Sequence, residues 1–394
     1  MLHDLLLFAT WGGAIVLTLP LSIFCLEVLL GIGKHRALTP IAIPYSACII
    51  MPAHNEATII GDTLDRLLPV LPESVTVLVV ADNCNDQTAD IARSHGSVVV
   101  KRHDTANRGK GYALDFGRNW LRQSPPDCVI VLDADCATDR ASLGALIRAA
   151  LQCKRPVQAS YTFTPNLSAP PKVQISNFAI WLKNVVRQKG TQRLGGAAVL
   201  TGTGMAFPWS VFERMPLATN SIVEDLELAV ALTSSGSAPI FLENASVTSA
   251  AASEEATLAQ RARWEHGFLA IAKSHSFPTL WKGVKTQNWP LILLSLHLLV
   301  PPLALLMSVA GSMAALLALA AVWTDALMPA VLVAALAGAA LGSILIAWLS
   351  GGHRWLSGRS TLMIPLYILW KLPLYLRFVV GRRSEWVRTD RPPS

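Results

Sequence analysis

The chain has 394 residues, of which 52% are hydrophobic and only 15% charged. That composition excludes an ordinary soluble protein and points to a membrane protein with a sizeable soluble part. The net charge of +7 suits basic flanks at a cytoplasmic membrane face, or attraction to anionic lipid or a phosphorylated substrate. No basic cluster interleaved with aromatics marks a nucleic-acid partner.

Leu5 to Ile32 is nearly all apolar and long enough to span a bilayer. No Lys or Arg precedes it, so it lacks the basic leader of a signal peptide. Lys34, His35 and Arg36 follow, which predicts an outside N-terminus and entry into the cytoplasm near Lys34. Glu27 lies inside this span, either near the interface or facing another helix.

From Tyr45 to Lys285 short apolar runs alternate with amphipathic stretches. Ser46–Met51, Val75–Ala81, Ser97–Val100 and Cys128–Leu132 read as strands. Glu56–Leu68, Gln87–His95 and Gly111–Gln123 read as helices. The alternation predicts an α/β fold with a doubly wound, mostly parallel sheet. A further strand is expected at Val157–Phe163 and a long helix at Lys172–Gln188. Lys189–Gly204 is rich in glycine and polar residues and reads as a mobile loop. The cysteines Cys25, Cys48, Cys84, Cys128, Cys136 and Cys153 have no metal-finger spacing and read as reduced, with the soluble part in the cytoplasm.

After Trp289 the chain is apolar again. Leu291–Val322 is interrupted by Pro301-Pro302, and Ala326–Leu349 is a second run. Leu362–Val380 is a third, but it carries Lys371, Arg377, Pro365 and Pro373. If all three spanned, the basic tail Gly381–Arg391 would lie outside, against the positive-inside rule. Two C-terminal spans and an interfacial third segment are therefore expected. A re-entrant hairpin split at Pro301-Pro302 is the competing topology. The domain reading is a membrane helix at 1–36, a cytoplasmic catalytic unit at 37–289, two spans at 290–350, and an interfacial or third membrane helix with a basic tail at 351–394.

The chemistry-bearing motifs sit at strand ends and helix starts. Asp133-Ala134-Asp135 follows a buried apolar run. In extended backbone both acids face one way and could share a hard cation. Taken alone, the pattern reads equally as an acidic turn. Pro52-Ala53-His54-Asn55-Glu56 follows the first strand, where Asn55 also fits a helix cap. Asp82 stands at the end of the second strand, placed to accept hydrogen bonds from a nucleobase or ribose. Asn85 and Asp86 read as an Asx turn and cap. Asn107-Arg108-Gly109-Lys110-Gly111 precedes a helix and suits a diphosphate, although it is not a Walker A pattern. Ser221 to Glu224 has the form of a capping box, which would explain Glu224 and Asp225 without function. Gln260, Arg263 and Trp264 are spaced i, i+3, i+4 on one predicted helix face, suited to a phosphate and a sugar or to an interfacial anchor.

In their order these motifs, with Thr201-Gly202-Thr203-Gly204 between them, resemble the membrane-associated inverting glycosyltransferases of family 2. That group includes cellulose, chitin-oligosaccharide and hyaluronan synthases and the ceramide and hopanoid glycosyltransferases. The resemblance implies a GT-A fold, a Rossmann-like sheet flanked by transmembrane helices, with a nucleotide-sugar donor, commonly a UDP-sugar. It implies that Asp82 and the Pro52, Asn55 and Glu56 turn hold the nucleoside, and that Lys110 and Arg263 meet the diphosphate. Asp133 would contact the donor and Asp135 would hold Mg²⁺ or Mn²⁺. Asp225 would be the general base, supported by Glu224. Thr201, Gly202, Thr203, Gly204, Gln260 and Trp264 would form the acceptor side. The expected product is one sugar on a membrane lipid or lipid-linked glycan, in cell-envelope glycolipid or exopolysaccharide synthesis at the inner (plasma) membrane, with other polysaccharide-assembly proteins as partners. A processive or short-oligosaccharide synthase is the alternative. A non-catalytic nucleotide-binding regulator would lack the acids found here, and a transporter would not place over half its chain in one soluble block.

Overall fold

The computed structural model describes residues 2–33, 44–219, 221, 223–250 and 254–379. The basic flank Lys34–Arg36 and the tail Gly381–Arg391, from which topology was argued, lie outside the described residues.

The first helix, α1 (Leu2–Gly31), precedes an alternating unit of β1 (Ala47–Ala53), α2 (Ile60–Leu67), β2 (Val75–Asp82), α3 (Thr88–Ser94), β3 (Val98–Arg102), α4 (Lys110–Leu121) and β4 (Cys128–Val131). Then come β5 (Cys136–Thr138), α5 (Arg140–Cys153), β6 (Val157–Phe163) and α6 (Pro171–Trp181). Helix α6 widens into a π turn over Leu182–Arg187 and resumes as α7 (Gln188–Arg193). The sheet is completed by β7 (Met205–Pro208), α8 (Trp209–Phe212), α9 (Glu224–Ser234) and β8 (Ile240–Ser249). Last are α10 (Glu254–Lys285), α11 (Trp289–Leu298), α12 (Leu303–Thr324), α13 (Met328–Ser350), α14 (Gly358–Thr361) and α15 (Ile364–Val379).

The eight strands are ordered β3-β2-β1-β4-β7-β6-β8-β5. Strands β3, β2, β1 and β4 are mutually parallel, and the apolar residues of β2, β1 and β4 are covered on both faces. Ile49, Val79 and Ile130 pack in one core, Ile50, Leu78 and Val131 in the other. The direction reverses at β4, which pairs antiparallel with β7. The carboxyl end of β4 therefore opens at a switch point, where open α/β sheets bind ligands. That end is Leu132-Asp133.

The expected α/β sheet is present, and its two antiparallel members, β5 and β7, are additions to it. Two local expectations fail. The helix expected from Glu56 begins at Ile60, after a turn in which Ile60 N–H donates to the Glu56 carbonyl at 2.9 Å. The expected mobile loop Lys189–Gly204 begins as helix α7, and Ala197–Leu200 are buried. Its glycines mark close packing. A Cβ at Gly190 would come within 1.9 Å of the Glu27 carbonyl oxygen.

Among the described residues three helices, α1, α12 and α13, are long and apolar enough to cross a membrane. Pro301-Pro302 separates α11 from α12, and α15 has only 16 residues with Pro373 inside it. Glu27 faces protein. Its Oε2 accepts from Arg187 Nε at 2.6 Å, and its Oε1 lies 2.8 Å from His297 Nδ1 and accepts from Thr191 Oγ1 at 3.1 Å. This cluster is almost fully buried and fastens α1 to the π turn, α7 and α11.

Candidate active site

Lys110 is the first residue of α4, and Gly109 before it has φ of +127°, a conformation that favours glycine. Gly111 is also required, but by the protein itself: a Cβ there would lie 2.3 Å from the Leu217 carbonyl oxygen. The Lys110 ammonium forms a short ion pair with Asp133 Oδ1 and donates to the Gly202 carbonyl at 2.9 Å. Arg108, by contrast, is exposed and donates to the Thr105 carbonyl.

The Thr201–Gly204 segment forms the floor. Gly202 and Gly204 take positive φ, and Gln158 holds the segment by accepting from Thr201 N–H and donating to the Thr203 carbonyl. Thr203, expected at the acceptor side, is only 1% exposed. Its hydroxyl accepts from Asp133 N–H at 3.1 Å and lies 3.3 Å from Cys136 Sγ, so it positions the metal-site turn. Gly202 keeps space open: a Cβ there would lie 3.5 Å from both Asp225 Oδ2 and Lys110 Nζ. Those two charged atoms therefore flank one point.

Glu224 and Asp225 are the first two residues of α9, capped by Val223 without a side-chain bond. The expected capping box does not form. Ser221 Oγ instead accepts from Val223 N–H at 3.3 Å, and Ile222 lies outside the described residues. The cap explanation for the acid pair is thus removed. Burial first, and Asp225 second, push the Glu224 carboxyl up to about 7. Burial likewise raises Asp225, against the Leu226 N–H bond and the nearby Lys183 and Lys110. Burial disfavours charged Lys110, but Asp133, Glu224 and Asp225 outweigh it and hold its proton more tightly than usual. These are coupled groups, so the pair titrates as a unit.

Asp133, Asp135 and Cys136 place one ligand atom each within 4.8 Å of one another. Cys136 is buried, and burial followed by the two aspartates raises its thiol well above the ordinary range. Its sulfur lies 3.3 Å from Ser249 Oγ, which in turn meets the Tyr161 hydroxyl at 3.0 Å. The two carboxylates beside it form a donor set that fits a hard Mg²⁺ or Mn²⁺.

The β1 and β2 turns, expected at the nucleoside, are cross-linked to each other. His54 Nδ1 lies 2.7 Å from the Asp82 carbonyl oxygen. Asn55, at φ +55°, accepts from Asn85 N–H at 2.9 Å and is not a helix cap. Glu56 N–H donates to Thr88 Oγ1, and Pro52 is half-buried at the end of β1. Asp82 is buried, and its Oδ1 accepts from Arg102 at 2.7 Å and from Asn83 at 3.0 Å. One of its oxygens is therefore committed internally.

On α10, Trp264 packs on Phe163 with ring centroids 6.4 Å apart. The intervening Arg261 is the buried cation of the motif. It lies 3.9 Å from the Phe163 ring and 5.1 Å from the Trp264 ring, and donates to Asn177 Oδ1 at 3.0 Å. Gln260 and Arg263 are half-buried. Helix α10 is tied to α15 by Glu265, which accepts from Lys371 at 2.7 Å and from Tyr375 at 3.0 Å. Sequence reasoning missed Lys183 on the π turn. Its signal was a lone charge in the run Ile180–Val186, where Asn184 is the one other polar residue.

Residues 48–214 match the model of Glycosyl transferase family 2. This stretch is similar to family 2 glycosyltransferases. The chain is 24% identical over 192 residues to a probable glycosyltransferase, YdaM, of Bacillus subtilis, covering 46% of this chain and 45% of that protein. It is 30% identical over 95 residues to the poly-beta-1,6-N-acetyl-D-glucosamine synthase of Staphylococcus aureus, covering 23% and 22%. The matches thus span less than half the length of these curated relatives. A mannosyltransferase of Pyrobaculum calidifontis, solved with GDP-Man and Mn²⁺, superposes with a TM-score of 0.57 at 18% identity, covering 95% of this chain and all of that one. The likeness is one of fold, and it covers the flanking helices as well as the sheet.

Proposed function

We propose that this chain is a membrane glycosyltransferase that moves a hexosyl or N-acetylhexosaminyl unit from a nucleotide sugar, by its resemblance a UDP-sugar, to a lipid or lipid-linked glycan, with inversion. The observation that carries this is the placing of Asp225 and Lys110 about Gly202, with Lys110 bound to Asp133. A base, a cation and the metal-site acids meet at the open end of β4.

In this reading Asp225 takes the proton of the acceptor hydroxyl as that oxygen attacks the anomeric carbon from the face opposite the leaving diphosphate. Glu224 supports it by raising the proton affinity of the pair. Lys110 fixes Asp133 and places positive charge where the diphosphate departs, and Arg263 adds to that charge. Asp135 and Asp133 would hold Mg²⁺ or Mn²⁺, which supplies Lewis-acid neutralisation of the leaving group. Pro52, Asn55, Glu56 and Asp82 line the nucleoside side, while Gln260 and Trp264 face the acceptor. The likeness to a poly-beta-1,6-N-acetyl-D-glucosamine synthase supports a second reading, in which the product is a polymer.

The catalytic unit 37–289 lies on the cytoplasmic face of the plasma membrane in this account. Segments 1–36 and 290–350 anchor it, and 351–394 forms an interfacial helix and tail. The test is incubation of membranes containing the protein with a panel of labelled UDP- and GDP-sugars. Label in the lipid extract supports single transfer, a ladder of lengths supports the polymer reading, and no transfer from any donor rejects both.

A further inference from the structure

Lys183 is a cation that the mechanism above leaves unused. It sits on the π turn, whose extra residue re-aims side chains relative to α6, a feature that recurs at functional sites. Its ammonium lies 5.6 Å from the Phe268 ring centroid on α10, one helical turn beyond Trp264. Among the described residues no carboxylate lies within ion-pair distance of it. Burial lowers its proton affinity, and Asp225 partly restores it, so the two groups are within electrostatic reach.

The surroundings are electropositive. Arg187 and Arg261 both act on Lys183. Arg187 is matched by Glu27, whereas Arg261 has no carboxylate partner among the described residues, and its Nε and Nη1 make no hydrogen bond. The acids in reach are Asp225 and Glu265, and Glu265 is matched by Lys371.

Position separates this cation from the donor's. The donor phosphates are served by Lys110, Asp133 and Asp135 at the ends of β4 and α4. Lys183 lies one turn before Val186 and Arg187, which touch α1 at Gly31 and Glu27. That is the end of a helix able to cross the bilayer, where a lipid headgroup would sit.

Resting on the proposed glycosyltransferase reading, we infer that Lys183 binds a phosphate group of the acceptor, holding a phosphate-bearing lipid at the bilayer surface with its nucleophile beside Asp225. The acceptor class is then an amphiphile with a phosphate near the hydroxyl that is glycosylated, rather than a neutral lipid. Lys183 contacts substrate without taking part in bond making.

The test uses the full-length protein in phosphatidylcholine nanodiscs and the paired probes farnesyl phosphate and farnesol, read by intrinsic tryptophan fluorescence. The unsubstituted protein should prefer the phosphate probe by on the order of tenfold, the worth of one charge-assisted hydrogen bond. Lys183→Met should abolish the preference and Lys183→Arg should keep most of it. Binding of UDP and GDP with Mn²⁺ should be unchanged in both, which also shows that they are folded. A Lys183→Met protein that still prefers farnesyl phosphate overturns the inference. So does one that loses nucleoside diphosphate affinity instead, since the phosphate would then be the donor's. Donor hydrolysis by water, measured on the same preparations, reads the glycosyltransferase proposal separately.

Discussion

Lys110 and Asp133, 23 residues apart in the chain, are joined in a short ion pair that also binds the Gly202 carbonyl at 2.9 Å. The pair ties the start of α4 to the end of β4 and places a cation beside Asp225. Lys110→Met removes that cation and leaves Asp133 unmatched. The expected loss in kcat/KM is on the order of 100- to 1000-fold, the usual worth of one preorganised electrostatic group. Steady-state kinetics with the preferred donor measure it, and a loss below tenfold would show that Lys110 is not in the reacting site.

The Glu224–Asp225 pair sets the pH dependence. Both carboxyls bind protons more tightly than usual, and Glu224 is pushed up to about 7. A base must be ionised to act, and burial raises Asp225, so the acid limb of activity should lie above the ordinary carboxylate range. Glu224→Gln removes the repulsion felt by Asp225. The acid limb of the kcat/KM profile should then move to lower pH, while Lys110→Met should move it higher.

The Glu27 cluster joins the apolar helix α1 to the π turn, α7 and α11. Glu27→Gln strips the charge that matches buried Arg187. Removing one partner of a buried pair costs about 3–5 kcal/mol. Thermal unfolding of the purified protein in detergent should show a marked drop in midpoint. An unchanged midpoint would mean that the joint carries little of the stability.

Metal removal should silence the enzyme. Chelation should abolish transfer, and Mn²⁺ or Mg²⁺ should restore it. Asp135→Asn should raise the metal concentration needed for half-maximal activity at least tenfold, about 1.4 kcal/mol of binding. Cys136→Ser should leave that concentration nearly unchanged, because the thiol is neutral and bound within the protein.

Much of this was legible in the residues. The runs Val77–Ala81 and Cys128–Val131 are continuous and apolar, as strands buried on both faces must be, and β6 falls at Val157–Phe163 as expected. The DXD acids and Lys110 could be placed because strand ends and helix starts have local signatures. Segments whose conformation depends on distant partners were not legible. Gly190 and Gly196 look like loop residues, yet each is a point of close approach, to the Glu27 carbonyl and to Thr191. The Ser221–Glu224 cap is sound local chemistry, but the helix starts with Val223 as its cap. Within Gln260–Trp264 the spacing rule identified a shared face, but it gave no sign that Arg261 is the residue turned inward. Lys183 has only a slight local signal, because its surroundings come from a π turn and from its contact with Phe268 on α10.

Asp225→Asn tests the central claim most directly. Nucleotide binding and sugar transfer are measured on the same membrane-reconstituted sample with Mn²⁺ present. The account predicts that UDP or GDP binds within about twofold of the unsubstituted protein, a small change in free energy, while transfer to the lipid fraction falls to background. Transfer at close to the unsubstituted rate would contradict the assignment of the base and with it the site built around Lys110, Asp133 and Gly202.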